Sequence, residues 1–176
     1  MFVSVNRQTA TGGQCCEVEV WMQGSDKVVK GLSAQQLEDW LDQAGIRHER
    51  CGDCDGYHFA ELEAMVEGME CRLFFEQDVI LISTEMEIRP AAILPAVAET
   101  ARLNMEFTNL KIFVDLNDQT MPHLVMGDTL SLRAGLTFEQ LLNFIQETLN
   151  TTQLVIEDCQ RMGYLYSDEQ EPDTLH

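Results

Sequence analysis

Apolar residues recur at helical spacing over residues 34–44, and from about residue 47 the spacing changes to every second position. Ser33 with Gln36 three residues on forms a capping box, in which each side chain satisfies a backbone N–H that the helix leaves free. Leu37, Trp40, Leu41 and Ala44 share one face and Gly45 supplies a left-handed stop, so a helix over 34–44 is predicted. In the period-two region Tyr57 to Leu62 reads as a short strand. Met69, Cys71, Leu73 and Phe75 alternate with Glu70, Arg72 and Glu76, which gives a strand with one wet face. Gln77-Asp78 separates it from a second strand over Val79 to Ile88, so a tight hairpin is expected, although the pair lacks the favoured glycine.

Pro90 opens the next element. Leu94, Val97, Ala98, Ala101 and Met105 lie on one helical face, and Pro95 is tolerated only in a first turn, where its missing N–H costs nothing. A helix from about 95 to 104 follows. Lys111 to Leu116 and His123 to Met126 then read as strands around the turn signal Asn117-Asp118, with Ser131 and Leu132 extending or following the second. Thr137 with Gln140 is another capping box. Phe138, Leu141, Leu142, Ile145, Leu149, Ile156 and Cys159 mark a long helix reaching about Met162, with Thr151-Thr152 as a weak point midway. Before residue 31 only Glu17 to Met22 alternates, as one strand would. The chain therefore divides into an N-terminal extension over 1–30, a domain over 31–165 and an acidic tail over 166–176. Hairpin-linked strands with helices packed on them make the fold class α+β, an antiparallel β-sheet flanked by helices.

Composition changes this picture in one respect, the charge. Eleven Lys and Arg against thirty Asp and Glu leave a net charge of −19, and the basic residues are scattered singly. A nucleic-acid reader needs clustered Lys and Arg to neutralise phosphates, and an anionic membrane surface needs the same. Neither partner is expected. No basic stretch followed by an apolar core opens the sequence, and the run Val79-Ile80-Leu81-Ile82 is far too short to span a bilayer. A cytoplasmic location with reduced thiols is the expectation.

Candidate chemistry centres on Cys51 and Cys54, two residues apart, with His48 before them and His58 after. Zinc takes four N and S ligands in a tetrahedron and accepts cysteines at this spacing, but no second such pair exists in the chain. Redox use of the pair would require a depressed thiolate pKa, against which the adjacent Asp53 works. Buried thiols flanking a turn are the third reading. Cys15-Cys16 reads as structural. Asp115, Asp118 and His123 could be gathered near one loop, where such residues ordinarily solvate a turn. Arg89 pairs with Glu85 or Glu87, or with a partner's carboxylate. No phosphate-binding glycine loop, nucleophile elbow or HExxH is present, so no catalytic residue and no resident cofactor is expected.

Four stretches in order resemble the YbjN family, bacterial proteins described as sensory-transduction regulators. They are residues 31–45 (GLSAQQLEDWLDQAG), Cys51-Gly52-Asp53-Cys54 with His58 after it, residues 88–95 (IRPAAILP), and residues 130–140 (LSLRAGLTFEQ) leading into the last helix. The resemblance covers roughly three quarters of the chain and leaves the first 30 residues outside it. It implies a fold like that of type III secretion chaperones, which are small, acidic, commonly dimeric and hold extended segments of other proteins. It supplies no catalytic residues. The function expected is that of a non-enzymatic regulator or chaperone-like module that binds other proteins. Homodimerisation is expected through the sheet or the last helix, with a strand edge or a helix–sheet groove as the natural partner surface. The alternative is a zinc- or thiol-dependent sensor built on Cys51 and Cys54.

Overall fold

The computed structural model describes residues 27–116 and 121–166. The expected strand at Glu17 to Met22, Cys15-Cys16, the turn at Asn117-Asp118 and the acidic tail beyond Tyr166 lie outside the described residues. Helix α1 (Ala34–Gln43) starts at the Ser33/Gln36 capping box and buries Leu37 and Leu41. Strands β1 (Glu49–Arg50) and β2 (Tyr57–His58) form a small hairpin, followed by a single helical turn, α2 (Ala60–Glu63). The long hairpin pairs β3 (Glu70–Glu76) with β4 (Val79–Glu87). A 3-10 turn over Pro90–Ala92 leads into α3 (Ile93–Glu106), then β5 (Lys111–Asp115), β6 (His123–Ser131) and α4 (Phe138–Arg161).

The six strands form one sheet in the order β1-β2-β3-β4-β6-β5, with every pair antiparallel. Alternate residues of the central strands, Cys71 and Leu73 in β3 and Ile80, Ile82 and Met86 in β4, point into a single core. Leu37 and Leu41 of α1, Ala96 and Leu103 of α3 and Leu141, Ile145, Val155 and Ile156 of α4 fill it from the other side. This is a two-layer α+β arrangement, with the helices on one face of the sheet. Trp40 meets Phe138 edge to face at 5.9 Å, which locks α1 to α4. Val29 and Leu136 exchange backbone hydrogen bonds at 2.8 and 2.9 Å, so ordered packing already begins before Gly31.

Several elements differ from the sequence expectation. Tyr57 to Leu62 is not one strand: pairing stops after His58, and the helix-favouring Ala60-Glu61-Leu62-Glu63 turns back so that Leu62 reaches the core. Helix α3 starts two residues earlier than expected and ends two later, with Pro95 still in the first turn. Strand β6 runs on to Ser131. Thr151-Thr152 does not interrupt α4, because Thr151 bonds back to the Glu147 carbonyl at 2.8 Å and Thr152 is buried. The β3–β4 turn keeps negative φ at both Gln77 and Asp78, and Leu132 N–H ties it down through the Asp78 carbonyl at 2.8 Å.

Candidate functional site

The loop between β1 and β2 carries the CxxC. It closes through Cys51 N–H donating to the Gly56 carbonyl at 2.8 Å, with Asp55 in the left-handed region at φ 57°. A Cβ at Gly56 would lie 3.0 Å from the Phe74 ring and 3.4 Å from Cys54 Sγ, so only glycine lets the loop lie this close to β3. The Asp53 N–H points at Cys51 Sγ at 3.4 Å, and Cys54 Sγ lies 3.4 Å from His58 Nε2. Cys51, Cys54 and His58 thus bring three ligand atoms within 4.8 Å of one another, all half-buried. The other ring nitrogen of His58 meets Glu63 Oε1 at 2.7 Å, and that same oxygen accepts from Cys71 N–H at 3.0 Å. The helical turn α2 therefore has a chemical consequence, because it delivers the carboxylate that orients the imidazole.

The electrostatics follow from these contacts. A backbone hydrogen bond from Gly56, then the His58 ring and Cys51, hold the Cys54 thiol down at about 7 against an ordinary 9.0. Burial works to lower the His58 pKa, but its bonds to Cys54 and Glu63 win and raise it. Arg72 stands beside the loop with its guanidinium 5.6 Å from the Phe74 ring centroid, paired with Glu85 at 2.7 Å and Glu70 at 3.1 Å. Cys71 and Cys159 behave differently. Burial pushes their thiols up to about 11 and about 12, and both are part of the core. Buried thiol is thus the description of Cys71 and Cys159, whereas Cys51 and Cys54 remain half-exposed.

His48 does not join the cluster. Its Nδ1 lies 3.0 Å from the Ile46 carbonyl and its ring packs edge-on against Tyr57 at 5.7 Å. The sequence pattern does not single out Glu63, one residue past the expected strand, or Arg72, which belongs to an ordinary alternation. Asp115 faces His123 across the β5–β6 pair, and Asp118 lies outside the described residues. Arg89 does not pair with Glu85 or Glu87. Its guanidinium donates to the Gly163 carbonyl and its backbone N–H to the Tyr164 carbonyl at 2.9 Å, which anchors the chain leaving α4.

Among the described residues, exposed apolar surface includes one face of α3 and part of the outer sheet face. On α3 the core side is built from Ile93, Ala96 and Leu103, while the residues of the stripe seen in the sequence turn outward. Leu94 is 80% exposed and Met105 81%, with Val97 between them. On the outer face of the sheet Phe113 and Leu81 line a shallow hollow of about 340 Å³ with Val125 and Gly127. The free edge of β5 is occupied at Ile112 by the side-chain amide of Asn104. Among the described residues no helix is long and apolar enough to cross a membrane.

The comparisons with known proteins agree with this architecture. YbjN of Escherichia coli K12 is 30% identical over 129 residues, spanning 73% of this chain and 80% of that protein, and YbjN of Shigella flexneri matches to the same extent. The crystal structure of Escherichia coli YbjN superposes with a TM-score of 0.75 at 26% identity, covering 80% of this chain and 99% of that one. The profile of the YbjN family, described as "Putative bacterial sensory transduction regulator", matches residues 33–161, which include the CxxC loop, the outward stripe of α3 and both capping boxes. The chain belongs to the YbjN family.

Proposed function

We propose that this chain is a non-enzymatic cytoplasmic regulator that works through protein–protein contact, assembled as a homodimer through α3. The observation that carries this reading is the outward apolar stripe of α3. An amphipathic helix in a lone domain turns its apolar face inward, and one that turns its large apolar residues outward needs a partner to cover them. The stripe is also self-complementary. Two antiparallel copies related by a two-fold axis between Glu99 and Thr100 place Leu94 opposite Met105 and Ala98 opposite Ala101, with the alanines allowing close approach at the centre. Strand addition at the β5 edge is disfavoured by the Asn104 cap. This favours α3 over the β5 edge as the dimer contact and leaves the outer sheet face, with Phe113 and Leu81, as the surface for a further protein. The family description as a sensory-transduction regulator supports the regulatory half of the reading.

The test is light scattering on the full chain over a range of concentrations, together with the Leu94→Glu/Met105→Glu double variant. A stripe about three turns long is small beside the roughly 800 Å² per partner of a standard interface, so dissociation on dilution is expected. The wild type should be a dimer at high concentration and the double variant a monomer with an unchanged unfolding transition. A wild type that stays monomeric at about 1 mM would sink the dimer and the docking role of α3 with it.

A further inference from the structure

We propose that Cys51, Cys54 and His58 form a site for a borderline-soft divalent cation of the zinc class, with Glu63 as the residue that positions His58 and the fourth coordination position facing solvent. Geometry carries the inference. Zinc binds sulfur at about 2.3 Å and imidazole nitrogen at about 2.0–2.1 Å, so neighbouring S and N ligands on a tetrahedron stand about 3.5 Å apart. The Cys54 Sγ to His58 Nε2 separation is 3.4 Å, and all three ligand atoms fall within 4.8 Å. The Cys54–His58 pair already stands at ligand spacing, and Cys51 lies close enough to join it.

The surroundings are those of a ligand set. A metal-bound histidine characteristically gives its second ring nitrogen to a carboxylate, which fixes the ring and leaves the first nitrogen aimed at the metal. Glu63 does this to His58 Nδ1 at 2.7 Å, and it is itself held by the Cys71 N–H at 3.0 Å. Each cysteine sulfur receives a backbone hydrogen bond from two residues on, Cys51 from Asp53 and Cys54 from Gly56. Backbone N–H groups aimed at sulfur stabilise thiolate ligands without closing the position the ion needs. The cation beside the loop, Arg72, is paired with Glu70 and Glu85 and also bonds to Cys54, which favours the Cys54 thiolate. Two thiolates balance a divalent ion, so the loaded site is electrically neutral apart from Glu63 and its imidazole partner. A set of three protein ligands with one open position accepts water or a donor from another molecule.

The test titrates zinc, and separately cobalt, into fully reduced full-length protein, with a chromophoric chelator as competitor. About one zinc per chain is expected, and the cobalt form should show sulfur-to-metal charge transfer in the near ultraviolet with intense tetrahedral bands in the visible. Glu63→Gln, which leaves all three ligands in place, should weaken zinc binding about 10–100-fold. Cys51→Ser and Cys54→Ser should each abolish the charge-transfer band, while His48→Gln should bind like the wild type. Fewer than about one zinc in ten chains, or a cobalt spectrum without thiolate charge transfer, overturns the site whatever the variants do. A Cys51–Cys54 disulfide that re-forms from the reduced chain in the presence of zinc also overturns it. Because the readout is metal stoichiometry and spectrum, its failure is separate from failure of the dimer.

Discussion

The Asn104 side chain clamps the backbone of Ile112 from both sides. Its Oδ1 accepts from Ile112 N–H at 3.0 Å and its Nδ2 donates to the Ile112 carbonyl at 2.8 Å, and the same Nδ2 also reaches the Thr100 carbonyl at 2.7 Å. Ile112 is the second residue of β5, the edge strand, so a helix side chain occupies the place a further strand would take. An unpaired edge is a template for association with other chains, and covering it in this way is one of the means by which sheets avoid that.

Asn104→Ala should therefore have two effects. Leaving the half-buried polar groups of Ile112 without partners should cost about 1–3 kcal/mol, read as a lower denaturant midpoint at unchanged slope. The opened edge should also raise the tendency to aggregate, visible as turbidity or scattering below the unfolding transition. A variant as stable and as soluble as the wild type would show that the clamp is incidental.

Gly135 holds residues 28–30 against the segment that leads into α4. Its φ of +88° is one that side chains rarely adopt, and a Cβ there would lie 2.6 Å from Val28 Cγ1 and 3.0 Å from the Val29 carbonyl oxygen. Gly135→Ala should cost about 2 kcal/mol through the strained backbone and the clash together. Hydrogen exchange separates this from general loosening. The amides of Val29 and Leu136, which bond each other's carbonyls, should lose protection first, while those of β3 and β4 keep theirs.

The parts of the fold legible in the sequence are those with an unbroken period or a cap. Helices α1 and α4 each begin at a capping box, and β3 and β4 alternate cleanly around Gln77-Asp78. Strand β1 and helix α2 are two and four residues long, too short for any period to register. The far half of β6 was hidden by Asp128, a polar residue on the core side of the strand, which is satisfied there by Thr148 Oγ1 of α4 at 2.8 Å. Helix α3 shows a different limit. Its apolar positions are visible, but the residues meeting the core are Ile93, Ala96 and Leu103, and Leu94, Val97 and Met105 dominate the pattern from the outside. At the CxxC loop the cysteines and His58 could be named from spacing. Glu63 could not, because its role depends on a helical turn that only packing of Leu62 and Val66 against the core selects.

Asp158 should govern part of the acid response. It lies in the last turn of α4, where the helix dipole disfavours a negative charge, and it is buried. Two arginines offset both costs: Arg102 Nη2 donates to its Oδ2 at 2.5 Å, and Arg161 donates to its Oδ1. Arg102, by its hydrogen bond first, holds the Asp158 carboxyl below its ordinary range even though burial pushes it up, and Arg161 adds to the effect. A carboxyl depressed in the folded state is protonated more readily in the unfolded one. Its contribution to stability is therefore fully present above the ordinary carboxylate range near about 4 and is lost as pH falls through the folded value. Asp158→Asn should destabilise the protein by about 1–3 kcal/mol at pH 7, since it leaves Arg102 without its interhelical charge partner. The difference from the wild type should narrow steadily once the pH drops below about 4, because the wild-type carboxyl is then losing its charge as well. Urea midpoints of both proteins across that range measure this. A gap that stays constant down to the acid transition would show that the Arg102–Asp158 contact holds α3 to α4 by shape and hydrogen bonding, with no net contribution from the charge.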